Sequence, residues 1–223
     1  MGMKSISRTF LLGIFAGILI AIGGAINLQL SSIGQPIWGA VFFSFGLMCV
    51  CILQANLFTG KVGYVLEKDK RYALNVLIMS IGNIIGALAM GYLCGALFSN
   101  WTVTLDTKLL YGENATWWGS ALRAVLAGVF VYLAVECFRL LPSYPAKLVM
   151  VCLSIATMVL LGANHSVANA FYFAYGQIRI PGFDGLNATL SVIVAMVGNS
   201  LGSLAIYGLQ NGFKKAVEAA KKE

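Results

Sequence analysis

The chain has 223 residues, of which 59% are hydrophobic and 10% are charged, with a mean hydropathy of +0.84 and a formal net charge of +7. A soluble domain of this length does not need so many apolar residues to fill its core, so the composition indicates a membrane protein and excludes an ordinary soluble fold. One helical span of the ~30 Å hydrocarbon layer takes about 20 residues, so the chain has room for roughly six spans in a single domain.

Six apolar runs follow one another along the chain, and we predict one transmembrane helix in each. They cover residues 10–30, 31–60, 73–105, 117–138, 148–178 and 185–213. The first run follows Lys4 and Arg8 as a signal peptide would, but its length and the lack of a small-residue cleavage pattern favour a retained span. An even number of spans puts both termini on the same side of the membrane.

The basic residues lie between the apolar runs, and most of them fall on the side of the termini. Twelve of the fifteen are on that side, namely Lys4, Arg8, Lys61, Lys68, Lys70, Arg71, Arg139, Lys147, Lys214, Lys215, Lys221 and Lys222. The other side has Lys108, Arg123 and Arg179. This asymmetry predicts cytoplasmic termini, with residues 213–223 as a basic cytoplasmic tail. The positive charge is therefore attributed to a lipid surface and not to nucleic acid.

Two similar motifs indicate an internal repeat. Residues 82–86 read Gly-Asn-Ile-Ile-Gly in the third run, and residues 198–202 read Gly-Asn-Ser-Leu-Gly in the sixth. Each combines a small-residue packing face with a buried amide. We predict two halves of three spans, at about residues 8–106 and 115–212. Because three is odd, the halves run in opposite directions through the bilayer.

The second span of each half contains a polar interruption. Residues 56–60 read Asn-Leu-Phe-Thr-Gly, and residues 164–169 read Asn-His-Ser-Val-Ala-Asn. Irregular backbone at membrane depth is tolerated only where it is buried in protein or lines a wet cavity. We therefore expect two broken helices whose breaks face each other at an axis inside the protomer, and this axis is the candidate pore.

At these residues the chain resembles the formate/nitrite transporter family. The segment Phe-Ser-x-Gly-Leu at 43–47, the Leu-Phe-Thr break, the histidine segment and the two Gly-Asn-x-x-Gly motifs are similar to the family's motifs. The tryptophan pair at 117–118 resembles the start of its fourth helix, so the match runs over roughly 12–208. The resemblance implies a homopentamer in which each protomer has its own aquaporin-like pore, with apolar constrictions on either side of a buried histidine.

The resemblance also implies which residues form the pore. Its polar midpoint and proton relay fall on His165 and Thr59, with Asn199 as a pore-side asparagine, and Lys108 matches a lysine in the outer vestibule. The constrictions fall on Phe43, Leu47, Leu57, Phe58 and Ala168, with Met158 where the family has a third constriction aromatic. The chain also departs from the family, because Asn56 and Asn164 replace acidic residues and Gly128 replaces an asparagine.

Physical chemistry favours a proton-linked site at His165, the single histidine of the chain. Burial disfavours the imidazolium form, whereas an approaching anion favours it, so a proton can accompany the substrate. Asn164 leaves no fixed negative charge beside the ring. Bulky apolar rings strip water from a bare anion at a cost of many kcal/mol and therefore select neutral acids or tightly coupled ions and protons.

The sequence therefore predicts a passive, proton-coupled channel for small monovalent anions or their conjugate acids, of the formate, nitrite and hydrosulfide class. A channel for neutral solutes such as water, ammonia or a polyol is the alternative, because Asn56, Asn164 and Gly128 remove features associated with anions. One histidine without a carboxylate cluster or thiolate pair provides no catalytic set, so we expect neither an enzyme nor a cofactor or metal. The expected location is the inner (plasma) membrane.

Overall fold

The computed structural model describes residues 3–101, 105, 108–112 and 115–220. Over this part of the chain the regular structure is entirely helical. The α-helices are α1 (Met3–Ser32), α2 (Pro36–Ile52), α3 (Lys70–Leu97), α4 (Trp117–Leu140), α5 (Tyr144–Leu160), α6 (Ser166–Arg179) and α7 (Gly185–Ala220). A 3₁₀ helix, Val62–Leu66, lies between α2 and α3.

Four of these helices are long and apolar enough to cross a membrane. They are α1, α3, α4 and α7. Helices α2 and α5 are apolar but have only 17 residues each. Several membrane-crossing helices make the chain a multi-pass membrane protein.

Both predicted middle spans are interrupted, at positions that differ somewhat from the motifs. After α2 the backbone is irregular over residues 53–61, which includes the whole 56–60 motif. After α5 it is irregular over residues 161–165, so only the first two residues of the 164–169 motif lie outside a helix. The reason is that the His165 side chain caps α6, which allows the helix to begin at Ser166.

Local sequence explains where several helices begin. The Asp69 carboxylate accepts a hydrogen bond from the Tyr72 backbone N–H at the start of α3, and the Thr116 hydroxyl accepts one from Gly119 at the start of α4. Helices α2 and α5 each have a proline in the first turn, where the missing N–H costs no hydrogen bond.

Close helix contacts repeat in the two halves of the chain. Helix α1 packs against α2 and α3, and α4 packs against α5 and α7. Glycine permits a close approach in each half, because a Cβ at Gly86 would overlap the Ile14 carbonyl oxygen and one at Gly202 would overlap the Val125 carbonyl oxygen. The small-residue motifs therefore do pack helix against helix, as the sequence predicts.

The two halves also interlock through their short helices. Helix α6, which follows the second break, packs against α3, and the 3₁₀ helix, which follows the first break, packs against α7. Helices α2 and α5 pack against each other. The short helix after each break is therefore held against a long helix of the opposite half.

A buried asparagine fixes the first break. The Asn83 amide nitrogen donates to the carbonyl oxygens of Gly13 at 2.8 Å and Asn56 at 2.7 Å, and its Oδ1 accepts from the Phe58 backbone N–H at 2.9 Å. One side chain thus satisfies backbone groups that the missing helical turn leaves unpaired. We call this arrangement the first asparagine clamp.

The second asparagine clamp repeats this arrangement in the other half. The Asn199 amide nitrogen donates to the carbonyl oxygens of Ala124 and Asn164, each at 2.8 Å. Its Oδ1 accepts from the Ser166 backbone N–H at 2.9 Å and from the Ser166 hydroxyl at 2.9 Å. The asparagine of each Gly-Asn-x-x-Gly motif therefore holds the break in its own half of the chain.

Candidate pore site

The two breaks meet at a hydrogen bond between Thr59 and His165. The Thr59 Oγ1 lies 3.0 Å from the His165 Nε2, and both side chains are buried. The other ring nitrogen, Nδ1, accepts from the Ala168 backbone N–H at 3.4 Å. The neutral imidazole with its proton on Nε2 satisfies both contacts, since Nε2 then donates to the threonine hydroxyl.

A cavity of about 260 Å³ adjoins the histidine. We call it the histidine cavity, and it is lined by Asn27, Ser31, Pro36, Ala40, Phe43, Lys108, Met158, Val159, Leu160, Ala163, His165, Ala168, Asn169 and Tyr172. Five of the residues predicted for the pore therefore share one cavity, namely Phe43, Lys108, Met158, His165 and Ala168. The threonine partner, in contrast, does not line it.

A second cavity, of about 230 Å³, lies at the other end of α2. We call it the Lys61 cavity, and it is lined by Val50, Cys51, Gln54, Ala55, Leu57, Gly60, Lys61 and Val135. Phe43, Leu47 and Val50 follow one another at helical spacing on one face of α2. Leu47, which is buried, therefore lies between the turn that lines the histidine cavity and the turn that lines the Lys61 cavity.

Four of the predicted site residues line neither cavity, namely Thr59, Leu47, Phe58 and Asn199. Phe58 is buried, and its backbone N–H is held in the first asparagine clamp. Asn199 was expected as a pore-side asparagine, but its fully buried amide is occupied by the second clamp. The Asn199 side chain thus contacts the backbone of the second break and fixes the residues on either side of His165.

Lys108 is a half-buried cation in the connection between α3 and α4. Its Nζ lies 5.2 Å from the centre of the Tyr172 ring, and the Tyr172 hydroxyl donates to the Asn27 Oδ1 at 3.1 Å. Burial, together with the nearby positive charge of Arg123, lowers the pKa of the Lys108 ammonium to about 8. The cavity wall thus has a positive charge that titrates close to neutral pH.

The structure adds two polar residues to the site that the sequence motifs did not assign. The Lys61 Nζ donates to the Asn56 Oδ1 at 2.5 Å, so a neutral amide stands beside this ammonium at the second cavity. Asn169 lines the histidine cavity one turn into α6. Both lie within or next to the two polar motifs, but sequence spacing alone does not show which side chains face a cavity.

A polar cluster supports the segment that follows the first break. Glu136 accepts hydrogen bonds from Arg139 at 2.7 Å, from the Tyr64 hydroxyl at 2.6 Å and from the Gln210 amide at 3.0 Å. The Glu136 carboxylate therefore joins the 3₁₀ helix to α4 and α7. Residues so far apart along the chain give no local sequence signal of this cluster.

No group of three or more potential metal-binding His, Cys, Asp or Glu side chains occurs within the described ranges. The helices, the two clamped breaks and the buried polar contact between two cavities define the class, a multi-pass membrane transport protein. The chain belongs to the formate/nitrite transporter family, whose family model matches residues 2–212. The resemblance found in the sequence motifs is thereby confirmed.

Individual relatives agree with this assignment. The chain is 27% identical over 190 residues to the formate channel FocA of Escherichia coli K12, covering 77% of this chain and 67% of the relative. It is 27% identical over 240 residues to the uncharacterized transporter YrhG of Bacillus subtilis, covering 93% and 86%. A solved pentameric formate channel with formate bound has the same fold, with a TM-score of 0.74 and 19% identity over 97% of this chain and 100% of that chain.

Proposed function

We propose that this protein is a passive channel for small weak-acid anions of the formate, nitrite and hydrosulfide class, which cross the plasma membrane together with a proton. The observation that carries the proposal is the 3.0 Å contact between Thr59 and His165, buried among apolar side chains that separate two cavities. A polar, titratable midpoint in an apolar pathway suits a solute that is charged at either mouth and neutral in the middle.

The apolar residues around the midpoint support transport of the neutral acid. Phe43, Met158 and Ala168 line the histidine cavity, and Leu57 lines the Lys61 cavity. A bare anion entering such surroundings gives up hydration worth many kcal/mol, whereas its conjugate acid gives up much less. The proton comes from bulk water or through the imidazole, and it leaves with the substrate.

A cation beside each cavity supports selection for anions. Lys108 lines the histidine cavity, and Lys61 lines the other. A positive charge at the mouth of an apolar pathway raises the local concentration of anions before they lose their water. The name of the E. coli relative, a formate channel, agrees with this substrate class.

We further propose the arrangement in the membrane. Helices α2 and α5 with their short continuations complete six spans, and the two clamped halves are inverted with respect to each other. The repeated clamps and the three-span halves support this arrangement. Cytoplasmic termini follow from the twelve basic residues on that side, and a homopentamer follows from the likeness to the pentameric solved channel.

Uptake into proteoliposomes tests the proposal. Formate, nitrite, hydrosulfide, acetate and lactate are compared at two pH values, with water and glycerol as neutral solutes. We expect saturable uptake of the smaller weak acids that rises as the pH falls, because the conjugate acid becomes more available. Fast water or glycerol flux without weak-acid uptake would instead support the neutral-solute channel, which the amides of Asn56 and Asn164 favour.

Substitution of the histidine tests the midpoint itself. His165→Asn retains a polar group without a titratable proton, so we expect residual uptake that loses the imidazole's share of the pH dependence across about pH 5 to 8. His165→Phe should abolish proton-coupled uptake. If His165→Phe transports with the wild-type pH profile, the histidine is structural and the proton-relay hypothesis is wrong.

A further inference from the structure

A third cavity, of about 340 Å³, lies beside the first two turns of α4. We call it the Arg123 pocket, and its walls include Thr116, Trp118, Gly119, Ser120, Leu122 and Arg123. None of these residues lines the histidine cavity or the Lys61 cavity, and the proposed transport function does not use them.

Arg123 is a cation inside a membrane-crossing helix. It comes six residues after Trp117, where α4 begins, which places its Cα about 9 Å along the helix. Its side chain is half-buried. Within the described part of the chain its guanidinium makes no ion pair or hydrogen bond, and the ion pair found there joins Glu136 to Arg139. A charge within a span is costly unless an oppositely charged or polar group meets it, so Arg123 calls for an anionic ligand.

The pocket extends from Arg123 towards the membrane surface. Side chains in a helix lean towards its N-terminus, and the pocket walls at Thr116, Gly119 and Ser120 lie on the turns before Arg123. The exposed Trp118 lies at the start of the same helix. Tryptophan is enriched at the level of the lipid headgroups, so this part of the pocket lies near the lipid phosphates.

The walls suit a ligand that has both a negative charge and apolar chains. Trp118 and Leu122 are 56% and 61% exposed, so their apolar surfaces are open to the bilayer. A second cation lies near, because the charge of Arg123 helps to lower the pKa of Lys108. A formate-sized anion would use the charge alone, whereas a phospholipid would use the charge and the apolar walls.

We propose that Arg123 binds the phosphodiester group of a membrane phospholipid whose acyl chains lie along Trp118 and Leu122. The planar guanidinium donates two parallel hydrogen bonds to the two unesterified phosphate oxygens, a geometry that a lysine ammonium does not match. The binding is non-covalent, and it does not depend on which solute passes through the pore.

The pocket is connected to the second break. The Arg123 carbonyl oxygen accepts from the Asn164 backbone N–H at 3.1 Å, and the Ser120 carbonyl oxygen accepts from the Asn164 Nδ2 at 3.3 Å. The guanidinium lies against the turn before this residue, because a Cβ at Gly162 would be 3.2 Å from the Arg123 Nη1. A lipid bound to Arg123 therefore stabilises the part of α4 that holds the second break.

Thermal unfolding of the purified protein in a phosphate-free detergent tests the inference. We expect dihexanoyl phosphatidylglycerol to raise the melting temperature of the wild type saturably. Arg123→Gln should raise the half-saturating lipid concentration about tenfold, because a charge-assisted pair of hydrogen bonds is lost. Arg123→Lys keeps the charge without the paired geometry and should raise it about threefold. Arg179→Gln is the matched control and should change it less than about twofold, because Arg179 donates to the Ala96 carbonyl oxygen within the protein.

Two further probes separate the lipid from its parts. Dihexanoylglycerol lacks the phosphate and inorganic phosphate lacks the acyl chains, so we expect neither to stabilise the wild type at the same concentration. Equal stabilisation by dihexanoylglycerol would show that the phosphate is not recognised. Equal stabilisation by inorganic phosphate or formate, with the same dependence on Arg123, would make the pocket a site for small anions and the lipid proposal wrong.

The variants provide the remaining comparison. If Arg123→Gln has the half-saturating lipid concentration of the wild type, or if Arg179→Gln shows an equal loss, Arg123 does not bind the lipid. Should the glutamine variant not assemble, an unchanged half-saturating concentration in Arg123→Lys would contradict the proposal in the same way.

Discussion

The two ring nitrogens of His165 have different roles. Nε2 contacts Thr59 across the candidate pore, whereas Nδ1 caps α6 by accepting from Ala168. Loss of an N-cap costs a helix about 1 kcal/mol, and asparagine is among the best replacements. His165→Asn therefore removes the titratable proton but keeps a side chain that can cap α6. His165→Phe removes both, so the asparagine variant is the cleaner test of proton coupling.

The lowered pKa of Lys108 gives a prediction for anion capture. Because the ammonium titrates at about 8, its charge is present below that pH and is lost as the pH rises through it. Lys108→Arg keeps the charge throughout, so at pH 9 we expect a lower half-saturating formate concentration than in the wild type, and near-equal values at pH 6.5. Formate uptake at low ionic strength measures the half-saturating concentrations of both proteins. If the variant and the wild type have equal half-saturating concentrations at pH 9 as well as at pH 6.5, the prediction is wrong.

Two phenylalanines predicted to narrow the pore occupy different positions, so they should respond differently to truncation. Phe43 lines the histidine cavity, whereas Phe58 is buried with its backbone in the first clamp. Phe43→Ala should enlarge the cavity and raise lactate uptake relative to formate. Phe58→Ala removes the same side-chain volume from a core position. We therefore expect it to lower the free energy of unfolding by about 3–5 kcal/mol. A gain in lactate uptake by a fully stable Phe58→Ala variant would instead support the predicted role of Phe58 as a constriction.

At the scale of helices, Gly128 explains one departure from the family pattern. A Cβ at this position would overlap the Asn199 carbonyl oxygen, so an asparagine cannot replace Gly128 while α4 and α7 keep this separation. The glycine therefore follows from close helix packing, and its presence is no argument for a neutral-solute channel. The same contact fixes the backbone of the residue whose side chain forms the second clamp.

A glycine pair tests this packing. Gly128→Ala should destabilise the detergent-solubilised protein by about 1–3 kcal/mol, because the methyl group has no space between α4 and α7. Gly208→Ala, in α7, has no atom within 4 Å of its new Cβ and should be neutral or slightly stabilising. Thermal unfolding measures both variants. Equal stability of the two would show that α4 and α7 move apart at little cost.

The helices and the motifs at the breaks were predictable from sequence because hydropathy and polar interruptions are local signals. The side-chain directions were not. Asn199 was predicted to face the pore and Asn169 belongs to the second polar motif, yet the Asn199 side chain forms a clamp while Asn169 lines a cavity. The Glu136 cluster depends on Tyr64 and Gln210, which come together only through packing between distant helices.

For the whole molecule, the proposed orientation predicts which side each loop faces. In a variant without the five native cysteines, Lys108→Cys should react with a membrane-impermeant thiol reagent added outside, and Lys215→Cys only with reagent added inside. The two variants are matched, because each replaces one lysine. Labelling of position 108 only from the cytoplasmic side would show that the topology is the reverse of the proposed one. The histidine cavity would then lie on the cytoplasmic side of the membrane.

The contact between Thr59 and His165 joins residues from the two halves of the chain, and the Ser203 hydroxyl donates to the Thr59 carbonyl oxygen at 3.1 Å from the last helix. The proposed midpoint therefore draws on both halves of the chain and is complete only when α7, the last helix, is in place.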